Sequence, residues 1–412
     1  MERYSSYKDS GVQWIGEIPS HWRIPSVGKL FEIKAGGDAK PQYYSYDKDE
    51  KHPYPVYTNT KDPNSVYAYT SKPLYDARTI TVTGRGEIGR AIFRPVAYDA
   101  IIRLLSLRPK VKLVPQFYAF FIDTVIPFTS DSAAIGQLSA VQLKPKYVTL
   151  PPLIEQEKIV DYLEGKTSKI DAYVAEKEKE IQLLQELKQK TIADAITKGL
   201  NPDVKMKESR TIFFGQIPEH WEERKMKYCF IERSEKNHPE EPVLCATQSQ
   251  GVIPQSLYQN RVVVVNKGFE GLKFVKVGDF VISLRSFEGG IEYAYYQGII
   301  SAAYTILTPI ENEYAGYFKL LFKCHPFIQV LQTCVTGIRE GQNINYQMFG
   351  RKHIPLPPLD EQRAIVAYID EKCKKIDTLV SDLQAEIDNM KEYKQRLVAD
   401  CVTGQVNVQD KI

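Results

Sequence analysis

Residues 150–171 read LPPLIEQEKIVDYLEGKTSKID, and residues 356–377 read LPPLDEQRAIVAYIDEKCKKID. The two stretches agree at 13 of 22 positions at a fixed offset of 206. Unrelated stretches of ordinary composition share roughly one or two. The chain is therefore an internal duplication, and this bounds its fold more tightly than any other feature. The echo extends outward. GEIPSHW at 16–22 returns as GQIPEHW at 215–221, and IADAITKGLNP from Ile192 returns as VADCVTGQVNV from Val398. The repeating unit is a globular segment, an LPPL-x-EQ motif and a charged segment.

The charged segments read as long helices. Ile376, Val380, Leu383, Ile387, Met390, Lys394, Leu397 and Cys401 alternate steps of four and three, which is a heptad seam. The matching register in the first copy is Ile170, Val174, Lys177, Ile181, Leu184, Lys188, Thr191 and Ala195. Proline cannot sit inside a helix, so each helix is expected to start just after Pro152 or Pro358. Glu155 and Glu361 then fall in the first turn, where a carboxylate suits the positive helix end. Gly199 and Gly404 mark the ends. About 40 residues at 1.5 Å each make a rod of ~60 Å with one apolar stripe. Such a stripe needs a partner, and the duplication supplies one. The two helices are expected to pair antiparallel within the chain, with the globular segments at opposite ends. Pairing between chains is the alternative. The pseudo-two-fold places Val406 near residues 12–16.

The resulting expectation is an α+β chain with a pseudo-two-fold internal repeat. Residues 1–154 and 201–360 form mixed α/β globular domains. Residues 155–200 and 361–412 form the long helices of an intramolecular coiled coil. Short apolar runs in the globular parts, such as YPVYTNT, ARTITVTG, RVVVVNKG, VGDFVISLR and AAYTILTP, predict strands, with helices near 115–126 and 315–324. Outside the motifs the two globular segments share little. The frame is duplicated and its contents differ, as for two modules doing one job on two targets.

Charge is uneven across these segments. Residues 1–154 carry +6, 155–200 carry −2, 201–360 carry +1 and 361–412 carry −2. Weak overall basicity does not decide nucleic-acid binding, because a local patch is what meets phosphate. No run of eighteen apolar residues occurs and the N-terminus lacks an apolar signal region, so a cytoplasmic protein without a membrane partner is expected. Six cysteines at 229, 245, 324, 334, 373 and 401 form no C-x-x-C pair, which argues against zinc or a disulfide framework.

Motifs for catalysis fail on context. Gly84, Gly86 and Gly89 complete a G-x-G-x-x-G, but the following AIFRPVAY is strand-like where a dinucleotide fold needs a helix. A tight turn exposing Arg85 and Arg90 is the better reading. Gly165-Lys166-Thr167 resembles the end of a Walker A motif, yet it lies mid-helix and its repeat reads Glu371-Lys372-Cys373. The chain has no N-P-P-[FY] or D-P-P-Y tetrapeptide, no H-E-x-x-H and no nuclease cluster. His21 and His220 belong to the repeated I-P-x-H-W element, an aromatic anchor.

The twice-used LPPL-x-EQ before a long helix and the G-x-I-P-x-H-W opening carry a resemblance over essentially the whole length. So do TVTGRGEIGRAIF, VGDFVISLRSFEGG and YYQGIISAAY. The chain resembles the DNA specificity (S) subunits of type I restriction-modification systems. The resemblance implies that each globular segment is a target recognition domain reading one half of a split, asymmetric site in double-stranded DNA. It implies that the paired helices set the gap and dock two adenine methyltransferase subunits, that a motor-nuclease (restriction) subunit joins them, and that the chain itself has no catalytic residue, metal or cofactor. A coiled-coil scaffold that binds no DNA, and a methyltransferase or nuclease with unrecognised motifs, are the other readings.

Base reading needs Arg, Lys, Asn, Gln, Ser and Thr on exposed loops. Residues 34–46, 59–61, 83–90 and 129–139 offer Lys34, Lys40, Tyr43, Tyr44, Asn59, Thr83, Arg85, Arg90, Gln137 and Ser139. Residues 247–250, 284–288 and 337–345 offer Gln248, Gln250, Arg285, Ser286, Arg339, Gln342, Asn343 and Asn345.

Overall fold

The computed structural model describes residues 2–60, 62–128, 137–258, 268–310, 314–337 and 343–409. The chain folds into two compact units, Met1–Glu178 with Ala385–Ile412, and Lys179–Gln384. Each long helix contributes one half to each unit. The first helix runs Leu153–Lys198 and the second Leu359–Thr403. Both begin directly after the paired prolines. Both stop at a left-handed glycine, Gly199 at φ +73 and Gly404 at φ +80, a conformation a side chain resists.

The heptad seam is real in both helices. Ile170, Val174, Ala195, Ile376, Ile387, Leu397 and Cys401 are buried. The remaining seam positions are half-buried, including all three lysines. Two of those lysines are held by cross-helix carboxylates. In the first unit Lys394 Nζ donates to Asp171 Oδ1 at 2.6 Å. In the second Lys188 Nζ donates to Asp377 Oδ1 at 2.6 Å. These are one interaction seen twice, since both partners shift by the repeat offset. In the first unit Glu178 also meets Lys391, so residue numbers rise along one helix as they fall along the other. The halves run antiparallel.

At the end of each helix pair the repeated motifs assemble into one joint. In the first unit Trp22 is fully buried. Glu155 accepts from Trp22 Nε1 at 3.0 Å and lies 2.7 Å from His21 Nε2. Gln156 Nε2 donates to Pro151 O at 2.9 Å. In the second unit Glu361 lies 2.9 Å from His220 Nε2, and Gln362 Nε2 donates to Pro357 O at 2.8 Å. The EQ of the motif thus fastens the aromatic anchor with its Glu and the proline turn with its Gln. The C-terminal tail closes the first unit. Tyr7 Oη donates to Gly404 O, Asn407 N to Glu2 O, and Gln405 Nε2 to Glu17 O. Gln405 thus reaches the residue next to 12–16, where the pseudo-two-fold places Val406.

Each unit also contains a four-stranded antiparallel sheet. In the first the order is Phe31–Ala35, Leu105–Pro109, Thr79–Val82, Ala91–Arg94. In the second it is Phe230–Arg233, Thr305–Pro309, Phe280–Ile282, Glu292–Tyr293. The order is the same, and so is the register of the central pair: Leu107 faces Ile80 as Leu307 faces Phe280. A helix follows the second of these strands in each, Pro115–Thr124 and Ala315–Leu321. The second unit adds His325–Gln332.

The other layers differ. The first unit has a second four-stranded sheet, Tyr44–Ser45, Ala68–Thr70, Tyr54–Tyr57, Asp99–Ala100. The second has separate pairs, Leu244–Thr247 with Gly251–Pro254 and Lys273–Val275 with Gly298–Ile300. Residues 261–267, read as a strand in the sequence, lie outside the described residues. Among the described residues no helix is long and apolar enough to cross a membrane.

Candidate nucleic-acid interface

In the first unit one side chain gathers three loops. Asn59 Oδ1 accepts from Gly84 N at 2.7 Å and Arg85 N at 3.3 Å, while its Nδ2 donates to Ile102 O at 2.7 Å. Leu138 N donates to Gly84 O, which brings in a fourth segment. Arg85 is exposed and its guanidinium reaches Gln137 Oε1 at 3.3 Å. Asn59, Arg85 and Gln137 therefore come together.

Other candidates in this unit shape the loops. Thr83 is buried and its hydroxyl accepts from Arg90 N. Arg90, expected to be exposed, is half-buried, and its guanidinium donates to Asp123 Oδ2 at 2.6 Å. The half-buried Asp123 carboxylate is compensated by that ion pair. Burial pushes the Asp123 carboxyl above its usual range, and Arg90 opposes that. Ser139 caps the short helix Ala140–Leu143 through a capping box with Gln142. Tyr44 donates to Asp99 Oδ2 at 3.0 Å, and burial raises its phenol to about 12. Lys34 pairs with Glu32 at 3.1 Å. Lys40 and Tyr43 are exposed, and Lys72 Nζ stands 4.6 Å from the Tyr43 ring.

The second unit gathers its loops with a cation. Lys323 Nζ donates to Gln248 O at 3.2 Å, to Gly289 O at 2.9 Å and to Glu292. This ties the 247–250 turn to the 284–289 turn. Gln248, Gln250 and Arg285 are exposed there. Ser286 is buried, and its Oγ accepts from Ser283 N. Asn343 is exposed on a two-residue strand, while Asn345 caps the helix Tyr346–Gly350 by accepting from Met348 N at 3.0 Å. Arg339 and Gln342 lie outside the described residues.

Two groups escaped the sequence reading. Tyr295 and Tyr296 are exposed, and Lys319 Nζ sits 3.7 Å from the Tyr293 ring and 4.6 Å from the Tyr295 ring. The tyrosine-dense run YAYY at 293–296 was the available signal, since tyrosine joins an apolar body to a polar tip and suits surfaces that touch a partner. Arg103 and Ile102 are the second group. They carried no signal, because they lie in a run that reads as strand.

Each unit has a cleft between its domain and its half of the helix pair. The first, about 950 Å³, is lined by Phe93, Phe120, Glu164, Lys394, Gln395 and Val398. The second, about 1130 Å³, is lined by Tyr293, Leu320, Asp370, Lys188, Gln189 and Ile192. The helix residues correspond by the repeat offset, so the duplication extends to the helix positions that line the clefts. Among the described residues no group of His, Cys, Asp or Glu is placed to hold a metal ion.

The family described as type I restriction modification DNA specificity domain matches residues 19–197. The chain is 25% identical to the MjaX type I restriction enzyme specificity subunit of Methanocaldococcus jannaschii, over 96% of both chains. It is 23% identical to the MjaVIII specificity subunit of the same organism, over 95% of both. A solved structure described as the basis of complex assembly and conformational transition of the type I R-M system superposes with a TM-score of 0.66. It covers 94% of this chain and 99% of that one, at 16% identity, and shares the fold. The matched region contains the first globular domain and the first long helix, and the two relatives align with the chain over nearly its whole length. The chain carries a type I restriction modification DNA specificity domain, and over nearly its whole length it is similar to type I specificity subunits.

Proposed function

We propose that each globular domain reads one half of a bipartite, asymmetric site in double-stranded DNA, and that the paired helices set the gap and dock methyltransferase subunits. The supporting observation is the pattern of sameness. The joint, the helix seam and the four-stranded sheet repeat, whereas the second layers and the polar loops above them do not. Repeated parts suit a task done twice on the same partner, here two copies of an adenine methyltransferase. Divergent loops suit two different base sequences. The twin clefts, with Lys-Gln and an apolar residue at matching helix positions, offer equivalent surfaces to those two copies. A motor-nuclease subunit completes the assembly. The chain contributes recognition, and the chemistry of methyl transfer and cleavage belongs to its partners.

The test is to sequence modified adenines in cells carrying this chain and its methyltransferase. A split motif is expected. Exchanging residues 210–355 for another recognition domain should change one half and leave the other intact. Inserting one heptad near Leu184 and one at the matching Met390 keeps the seam in register and should widen the gap without altering either half. Absence of any sequence-dependent modification or binding with partners present would leave a scaffold.

A further inference from the structure

Ile102 and Arg103 are consecutive non-glycine residues in the left-handed region, at φ +53 and +61. For a β-branched residue this is costly and persists only where surrounding structure imposes it. Here four hydrogen bonds do so. Ile102 N donates to Gly37 O, Arg103 N to Gly36 O, Leu104 N to Ile101 O, and Asn59 Nδ2 to Ile102 O. The flanking Ile101 and Leu104 are 1% exposed, which anchors the turn from beneath. The reversed backbone turns two side chains outward. Ile102 is 44% exposed and Arg103 is exposed.

The Arg103 backbone lies against Gly84, the residue before Arg85. A methyl group on Gly84 would meet Arg103 O at 3.1 Å and Leu138 O at 2.8 Å, so the two turns are in backbone contact and tolerate nothing larger. No ion pair joins Arg103 to an acid among the described residues, whereas Arg90, Arg108 and Lys34 all have carboxylate partners. An uncompensated guanidinium next to an exposed aliphatic tip, on a turn held under strain, matches what a base edge asks for. Arginine donates in a fork to guanine O6 and N7, and an apolar group packs against a thymine methyl.

We propose that the Ile102–Arg103 turn is the base-reading tip of the first recognition domain, with Arg103 specifying a guanine in that domain's half-site. Arg85 and Gln137 flank it, and Asn59 is a positioning residue. The proposal rests on the DNA-reading function given above.

The experiment uses the full chain co-expressed with its methyltransferase, with modified motifs sequenced and binding of the purified complex measured on duplexes varied one base at a time. For the unsubstituted complex, a split motif must appear, and its absence would remove the DNA-reading function itself rather than this turn. Given a motif, Arg103→Ala should abolish preference for guanine at one position of one half, a loss of about tenfold or more. The other half should stay unchanged. Asn59→Ala should relax the same position although it removes no base-contacting group, and Ile102→Gly, which relieves the strained φ, should keep the guanine preference. Melting temperatures of the variants establish that they are folded. Equal weakening on all sequences, or an unchanged motif in Arg103→Ala, would overturn the assignment.

Discussion

The two globular domains share a four-stranded sheet but not a second layer. Both sheets use the same strand order and pack against a helix that follows the same strand. Their sequences diverge even so, because a buried sheet face accepts any well-fitting apolar set. The link between strand and helix shows this freedom most plainly. In the first unit it is Arg90 to Asp123, basic on the strand side and acidic on the helix side. In the second it is Glu292 to Lys323, with the signs reversed. The joint of Trp, His and Glu does not vary in this way, since both copies must fit the same proline turn and helix end.

The joints nevertheless differ in detail. A methyl group on Gly404 would run into the Pro19 ring and reach the Trp22 ring at 3.1 Å. On Gly199 it would meet the movable Glu361 Oε1 at 2.9 Å and the Trp221 ring at 3.2 Å. Both positions also have positive φ. Gly404→Ala should therefore cost about 3 kcal/mol or more, and Gly199→Ala about 1–2 kcal/mol. Hydrogen exchange resolved by unit measures the two losses separately, and equal losses would mean that the joints are interchangeable.

Glu155 serves both His21 and the buried Trp22 Nε1, whereas Trp221 Nε1 is buried without a hydrogen-bond partner among the described residues. Glu155→Ala strands a buried donor, at about 2 kcal/mol, while Glu361→Ala strands none, at about 1 kcal/mol. Urea denaturation of the two variants should rank them in that order.

Glu292 sharpens the comparison through pH. Its carboxyl is buried, Oε2 has no hydrogen-bond partner among the described residues, and desolvation raises its pKa although Lys323 opposes this. A group with a raised folded pKa holds its proton more tightly when folded. Its stabilisation is complete below the unfolded value, about 4.3, and is lost as pH rises through the folded value. Glu292→Gln removes that dependence. Wild-type stability should fall relative to the variant as pH rises from about 4, and parallel curves would show that Glu292 ionises at its unfolded value.

The smallest effect comes from the seam. Lys188→Ala and Lys394→Ala each remove one partly exposed pair, about 0.5 kcal/mol. The repeat predicts matching losses at low salt that shrink at high salt. A much larger loss at Lys394 would trace to Asp123, whose charge it also stabilises.

The proline start and glycine stop of each helix, the seam and the closure of the tail onto the first unit were legible in the sequence, although the second helix ends at Thr403 and not at the expected residue 412. Proline, glycine and a heptad period act locally, so a linear text records them, and the duplication made each reading checkable against its copy. The shared sheet order was not legible, because pairings such as Leu107 with Ile80 carry no periodic signature that distinguishes one partner strand from another. Nor was the division of polar loop residues into those that face outward and those that hold loops together. Thr83, Ser139, Ser286 and Asn345 have the same chemistry as readers, and only their backbone partners assign them to capping and turns. Ile102 lies furthest from sequence reach. Its residue type disfavours a positive φ, and its hydrogen bonds to Gly37 O and from Asn59 Nδ2, both distant along the chain, impose one. Local preference sets what a segment does alone, and the tertiary structure decides where the sum of distant contacts outweighs it.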